Sequence, residues 1–344
     1  SNNRVKVNHN KYLYIKLKPV TNLETVEITN QDSFIQNFKD YDQINSMHLQ
    51  IPSLNGKIDV LNSIKLIPGI QNVSYGQQGL SIRGGGPDQN LVLLDETVVY
   101  NASHLFGFFS VFNSDAIKNV TITKGGIPAK YGGRLSSVLE VIMNEGNNKR
   151  VSVKGGIGLI SSRITVEAPL KKDKGSFLLG GRSSYAHLFL PLFDLNNVAY
   201  FYDLNTKLSY NLDKKNSIYL SGYFGRDVFN ISDSFENTYG NTVVNFRWNH
   251  LFTDQLFSNL SLIYSDYYYG LNLNFVGFEW NSGIQNMNIK YDFKQYINDR
   301  YKLEYGFHST YYRFNPGVIS PNGPNSGINR DELINKFAFE NAIY

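Results

Sequence analysis

Six histidines are the first place to look for chemistry, and they argue against it. His9, His48, His104, His187, His250 and His308 lie far apart, with no two at the spacing that metal ligands share on one element. No cysteine is present, so a thiol nucleophile, a zinc-thiolate cluster and a disulfide framework are all excluded. No Ser-His-Asp arrangement can be placed, and no cofactor motif is legible. Gly84-Gly85-Gly86 has the look of a phosphate cradle. Neither a helix start nor a Lys-Ser/Thr pair follows, so a nucleotide loop is not expected; glycines that let a turn approach another element closely fit better. The sequence predicts no catalytic residue, no metal and no cofactor. What remains are groups suited to contact. The run from Val98 to Phe109 holds Tyr100, Asn101, His104 and Phe106, unusually aromatic for a loop. Tyr75, Gln77 and Gln78 form a second cluster of this kind. Rings and amides on a loop can meet a solute or pack against a neighbouring wall.

The elements that must hold these groups are mostly strands. Across 344 residues, aromatic side chains make up 14% and charged ones 18%, below the roughly 25% charged of an average domain. The formal charge of +4 is too small to argue for nucleic acid. No run of about 18 apolar residues exists, so a transmembrane helix is not expected. Ser1-Asn2-Asn3 opens a polar stretch without a signal peptide.

Beyond about residue 145 the chain alternates. Tyr202, Leu204, Thr206, Leu208, Tyr210 and Leu212 share one parity; Asp203, Asn205, Lys207, Ser209 and Asn211 share the other. Ile164, Val166, Ala168 and Leu170, then Val244, Phe246 and Trp248, then Met287, Ile289, Tyr291 and Phe293 alternate with polar residues in the same way. Period-2 patterning gives a sheet with one apolar and one polar face. That pattern serves a soluble sandwich or a membrane barrel, and the connections decide between them. Short turns are expected at Lys171–Lys174, Asp213–Asn216, Thr253–Gln255 and Asn298–Arg300. Long loops are expected over 186–200, 228–241, 270–285 and 314–335. Short turns on one side and long loops on the other are the outer-membrane pattern. Tyr200-Phe201-Tyr202, Tyr267-Tyr268-Tyr269 and Tyr311-Tyr312 suit interfacial girdles, although aromatics favour strands in any case. About ten strands are expected, from 150–158 to one beginning near Lys336. An open edge facing lipid would leave backbone groups unpaired, so the barrel is expected to be completed by residues beyond this chain.

The first half reads differently. A short helix over 57–68 ends in Pro68-Gly69, and Ile82-Arg83-Gly84-Gly85, Leu93-Leu94-Asp95, the Val120–Gly126 strand ending in Lys124-Gly125-Gly126, and Ala129-Lys130-Tyr131-Gly132-Gly133-Arg134 follow in order. This set resembles the plug domain of TonB-dependent outer-membrane receptors. Arg83, Gly84, Gly85, Asp95, Gly125, Gly126, Tyr131, Gly132, Gly133 and Arg134 carry the resemblance. Glu24, Thr25, Val26, Glu27, Ile28 and Thr29 look like a TonB box, an extended segment to which TonB adds a strand. Lys11–Pro19 resembles the closing strand of a carboxypeptidase-regulatory-like β domain, as in receptors of Bacteroidetes-type bacteria. The expected organisation is the end of that domain over 1–22, box and linker over 23–45, plug over 46–145, and truncated barrel over 146–344.

The resemblance implies a mixed α/β plug inside a transmembrane antiparallel barrel of about twenty-two strands. It implies import of a scarce solute across the bacterial outer membrane, the plug facing the periplasm. The partners would be TonB with its inner-membrane motor, outer-membrane lipid and an unidentified solute, with no nucleic acid. Tyr131 is followed by Gly-Gly-Arg-Leu-Ser-Ser, where the starch-utilisation branch carries Tyr-Gly-Ser-Arg-Gly-Ala; this argues against glycan import under a lipoprotein lid. A surface lipoprotein or other outer-membrane subunits stay open as partners. The alternative is a plugged-barrel scaffold in a secretion or insertion assembly; a soluble β-sandwich binding module is the third reading. Arg83 and Arg134 are expected to need carboxylates of the wall, such as Glu167 or Asp203.

Overall fold

The computed structural model describes residues 41–45, 59–72, 79–189, 197–232, 234–298, 300–323 and 326–344. The expected TonB box, Lys11–Pro19, and Tyr75, Gln77 and Gln78 lie outside the described residues.

The first half builds a small mixed domain. Asp59 caps helix α1 (Val60–Ile64), accepting from Asn62 N at 3.0 Å. The helix is shorter than the expected 57–68. Pro68 cannot continue it, Gly69 takes φ +84, and the intervening residues close 3₁₀-type bonds. Hairpin β2 (Ile70–Asn72) and β3 (Leu80–Ile82) follows. A five-stranded sheet runs in the order β1 (Tyr41–Asn45), β8 (Ile117–Thr123), β9 (Ser137–Met143), β4 (Asn90–Leu94), β5 (Thr97–Val98), with β4 and β9 parallel. The short strands β6 (Ser103–His104) and β7 (Phe109–Ser110) pair with each other beside it. The core joins Val60 and Ile64 of α1 to Val120, Ile122, Leu139 and Val141 of the sheet, and it continues into Leu178, Tyr223 and Val243 of the second half.

That second half is one antiparallel sheet, each long strand pairing with the next in sequence. Its members are β10 (Ser152–Ile157), β11 (Ser161–Lys171), β12 (Gly175–Ser184), β13 (Asn197–Asn211), β14 (Asn216–Ile231), β15 (Phe235–Thr253), β16 (Leu256–Leu273), β17 (Phe278–Tyr296) and β18 (Lys302–Pro321), with β19 (Asp331–Glu332) and β20 (Lys336–Ile343) both on β18. Gly146, on the connection between the two halves, has φ +83, and a Cβ there would lie 2.5 Å from Phe177 O. The backbone passes so close to the wall that only glycine fits.

The short turns fall where the sequence places them. The long loops expected over 228–241, 270–285 and 314–335 are shorter than their expected bounds. Residues 228–231 and 235–241 continue β14 and β15 in register, from Val228↔Thr238 to Ile231↔Phe235. Residues 270–273 and 278–285 continue β16 and β17, and 314–321 continues β18. Residues 235–241 and 314–321 carry no sustained apolar parity, and in 278–285, where Phe278, Trp280 and Ile284 share one, Ser and Gly dilute it. Backbone pairing extends through them regardless.

The sheet is turned inside out relative to a soluble one. Asn205 and Lys207 are fully buried while Leu204 and Leu208, one residue away, are 45% and 38% exposed. On β14–β17, Ser221, Asn245, Ser261 and Asn286 are buried whereas Leu220, Phe246, Leu262 and Met287 face out. The polar face meets the first domain. Among the described residues no helix is long and apolar enough to cross a membrane, which leaves crossing by strands untouched.

Candidate functional site: the plug–wall interface

The short strand β6 carries its last residue into the wall. His104 is 1% exposed, with Nδ1 2.6 Å from Asp227 Oδ2 and Nε2 3.1 Å from Asp203 Oδ2. Tyr223 Oη stands 3.2 Å from Nε2, and the imidazole stacks on Phe201 with centroids 4.2 Å apart. Burial alone would push the His104 pKa down; the Asp227 and Asp203 carboxylates outweigh it and raise the pKa. With a carboxylate on each nitrogen, the ring sits as imidazolium. Leu105 N donates to the second oxygen of Asp227 at 2.8 Å, and Phe106 N to Tyr239 Oη at 3.2 Å. Leu105 and Phe106 both have positive φ, 46° and 56°. Neither residue favours that region, so the wall contacts hold the turn in a strained shape.

Arg182 completes the cluster from the wall side. Its guanidinium grips Asp203, with Nε 2.8 Å from Oδ2, and also donates to Ser110 O at 3.0 Å and Phe112 O at 3.3 Å. Ser110 N donates in turn to Asp59 Oδ2 at 2.7 Å, the same carboxylate that caps α1. Helix cap, aromatic turn and three wall strands therefore share one hydrogen-bonded chain. Two cations, His104 and Arg182, face two anions, Asp203 and Asp227. Buried charge is tolerated here because it is balanced and fully bonded.

A second cluster forms at the β4–β5 turn. Asp95 and Glu96 both take positive φ, 46° and 70°, the twist a two-residue hairpin requires but these residues resist. The wall fixes both carboxylates. Lys207 Nζ lies 2.9 Å from Asp95 Oδ2 and 3.3 Å from Met143 O, while Asp95 Oδ1 accepts from Met143 N at 3.0 Å. Asn259 and Ser261 donate to Glu96 at 2.9 and 2.7 Å, and Arg247 stands 3.5 Å away. Burial would raise the Glu96 pKa, but Lys290, Arg247 and these two donors bring it below the usual carboxylate value.

Tyr100 and Asn101 bond the wall through backbone and side chain. Tyr100 N donates to Asn241 Oδ1 at 3.1 Å, Asn241 Nδ2 to Asn101 O at 2.8 Å, and Asn286 Nδ2 to Tyr100 Oη at 2.7 Å. Both residues also line a cavity of about 730 Å³ between the first domain and strands β16, β17, β18 and β20, together with Arg134, Tyr267, Tyr312 and Glu340.

The structure thus gathers Asp95, Tyr100, Asn101, His104 and Phe106 at the interface. His104 meets the wall rather than open space, and Phe106, 40% exposed, packs edge-on against Phe229 at 4.7 Å. Of the carboxylates expected to serve Arg83 and Arg134, Asp203 is held by Arg182 and His104, and Glu167 by Lys154 at 3.1 Å. Arg134 donates to Gly133 O at 2.7 Å. Arg83 and Gly84 form a left-handed pair at φ 52° and 82°, and a Cβ on Gly85 would strike the Ser136 side chain. Tyr131 donates to Glu140 at 3.0 Å; Gly132 and Gly133 face the Glu340 carboxylate, and Gly126, after Gly125, takes φ 59°. Arg182, Lys207, Asp227, Tyr239 and Asn241 escape sequence reading. Only their inward parity marks them, and parity cannot name a partner a hundred residues away.

Residues 50–137 match the family model of the TonB-dependent Receptor Plug Domain. No curated protein sequence matches the chain. Among solved structures, the siderophore receptor PirA from Acinetobacter baumannii superposes with TM-score 0.64 at 15% identity, over 83% of this chain and 50% of that one. Pyoverdine-bound FpvA from P. aeruginosa gives 0.64 at 11%, over 87% and 47%. The copper transporter OprC gives 0.60 at 12%, over 81% and 46%. At these identities the likeness is one of fold, and the chain spans about half the length of each. The chain carries a TonB-dependent receptor plug domain set against a partial β-barrel, the architecture of these receptors.

Proposed function

We propose that the protein belongs to the bacterial outer membrane and imports a scarce solute in a TonB-dependent manner, with the plug closing the barrel until it is worked loose. The observation that carries this reading is the reversed wall. Leu204, Leu208 and Phe246 point away from the plug, where lipid would lie, and Asp203, Lys207 and Asp227 hold the plug by polar contacts. Such contacts suit a plug that must move. Water or solute groups can replace a hydrogen bond or ion pair as it opens, whereas a dry apolar seam of equal area offers no such exchange.

The solute we infer is a metal or a metal chelate, because the similar folds include siderophore receptors and a copper transporter. TonB, driven by its inner-membrane motor, would engage the Glu24–Thr29 segment by strand addition. Cells expressing the full-length protein should accumulate labelled iron, given as ferric siderophores, or labelled copper, and lose that uptake when TonB is deleted. Val26→Pro removes one backbone donor from the added strand and should abolish uptake while leaving surface binding intact. Uptake that persists without TonB refutes the proposal.

A further inference from the structure

The two ends of the wall differ in charge. On the short-turn side, residues 147–150 lie beside the turn between β11 and β12, with Asp173 N donating to Asn148 O at 3.0 Å. The next turns follow alongside: Asn211 N donates to Lys174 O at 2.8 Å, and Leu251 N to Lys215 O at 2.9 Å. Lys149 and Arg150 stand just before β10, and the β11–β12 turn adds Lys171, Lys172 and Lys174. Lys214 and Lys215 come from the β13–β14 turn. Against these seven cations the same segments and the β15–β16 turn set only Asp173, Asp213 and Asp254. All seven cations are exposed, and none pairs with a carboxylate among the described residues. At the opposite end of the wall the described charges are Glu236, Glu279, Asp331 and Glu332 against Arg330.

An aromatic band lies beside the basic turns, on the face directed away from the plug. Trp248, His250 and Phe252 follow one another down β15, with centroids 5.4 and 4.4 Å apart. Tyr210 of β13 holds the same level, since it pairs with Ile218 and Ile218 pairs with Trp248. Amphipathic rings that end an apolar wall face mark the depth of lipid headgroups. Lysine stems reach from the turns to that depth while their ammonium groups stay wet. Cations and rings therefore meet at one level. Each turn of this collar joins two strands that are both present, so the collar is whole within the chain.

We propose that the collar binds anionic phospholipid of the periplasmic leaflet, headgroups against the lysines of the turns and acyl chains along Leu208 and Phe246. This rests on the outer-membrane reading and adds to it a lipid class and a place. A soluble polyanion would use the lysines alone; a lipid uses the lysines, the rings and the apolar face above them.

Native mass spectrometry of the full-length protein in mild detergent tests it, by counting bound dioleoyl phosphatidylglycerol and dioleoyl phosphatidylethanolamine in parallel titrations. We expect phosphatidylglycerol to be preferred. Replacing Lys171, Lys172, Lys174, Lys214 and Lys215 together with Gln should remove the preference, each lysine being worth on the order of fivefold in affinity. Retained phosphatidylethanolamine reports that the variant is still folded. The milder pair Lys214→Gln and Lys215→Gln should lose part of the preference. Its turn is held through the backbone, Asp213 accepting from Lys215 N at 2.7 Å and Asn216 N at 2.8 Å. Equal binding of the two lipids by the wild type overturns the lipid class. A preference that survives all five substitutions overturns the place. Wild-type protein that retains neither lipid, with Leu208 and Phe246 in contact with water, brings down the outer-membrane reading itself, and this inference with it.

Discussion

His104 of the plug and Asp227 of the wall face each other across 2.6 Å, and neither side chain meets solvent. The residues are 123 positions apart in sequence, and their contact closes a chain running through Asp203 and Arg182 back to the cap of α1. Docking of the plug is thus tied to the fold of the plug. Loss of the wall contact is felt at the helix.

Replacing His104 with Ala tests this coupling. Asp203 keeps Arg182, but Asp227 loses its cation and is left with the Leu105 amide. Stripping one partner from a buried pair costs about 3–5 kcal/mol. Urea unfolding of the full-length protein in detergent should show a loss of that order. Hydrogen exchange should rise at Leu105, Phe106 and Ser110 before it rises in β8 or β9. A uniform rise across the plug would contradict the coupling.

The same residue gives docking a pH dependence of definite sign. An unfolded histidine titrates near 6.5, and the folded His104 titrates higher, because Asp227 and Asp203 outweigh burial. Its contribution is therefore fully present below the unfolded value and is lost as pH rises through the raised folded value. The stability difference between wild type and His104→Asn should be largest in mild acid and shrink on the alkaline side. A difference that grows with pH would contradict the imidazolium assignment.

Glu96 titrates in the opposite sense. Lys290, Arg247 and two hydrogen bonds outweigh burial and lower its pKa, so its stabilisation is present at neutral pH and fades as pH falls through that lowered value. In Glu96→Gln the carboxamide presents an N–H₂ where Asn259 or Ser261 donates. The amide can turn to Ser261, whose hydroxyl also accepts, but Arg247 loses its facing charge and the bonds lose charge assistance, at about 1–3 kcal/mol. Denaturation at pH 7 should show the loss, and the two proteins should converge as the pH approaches the acid range. Equal stability at pH 7 would mean that the wall does not hold this turn.

How much of this was legible beforehand follows from the range of each interaction. Which residues of 202–212 face in is written in the alternation itself, because period 2 is local. The plug motifs around Arg83–Gly85, Asp95 and Tyr131–Gly133 could likewise be placed in order. Strand ends could not: 235–241 carries Glu, Asn, Thr and Gly without a sustained apolar parity, yet it pairs in register. Pairings across the interface were beyond reach for a different reason. Asp203 was expected to serve Arg83 or Arg134 and instead serves Arg182 and His104, since the choice depends on how the plug is rotated against the wall. No spacing in the sequence encodes that rotation.

The central claim is the direction of the wall, and site-directed spin labelling measures it most directly. Single cysteines replacing Leu208, Phe246, Asn205 and Asn245 of the full-length protein in bilayers carry nitroxides whose relaxation by oxygen and by a polar nickel chelate is compared. The account predicts oxygen dominance at 208 and 246, with nitroxides at 205 and 245 immobilised and shielded from oxygen against the plug. Strong nickel accessibility at 208 and 246 would contradict it.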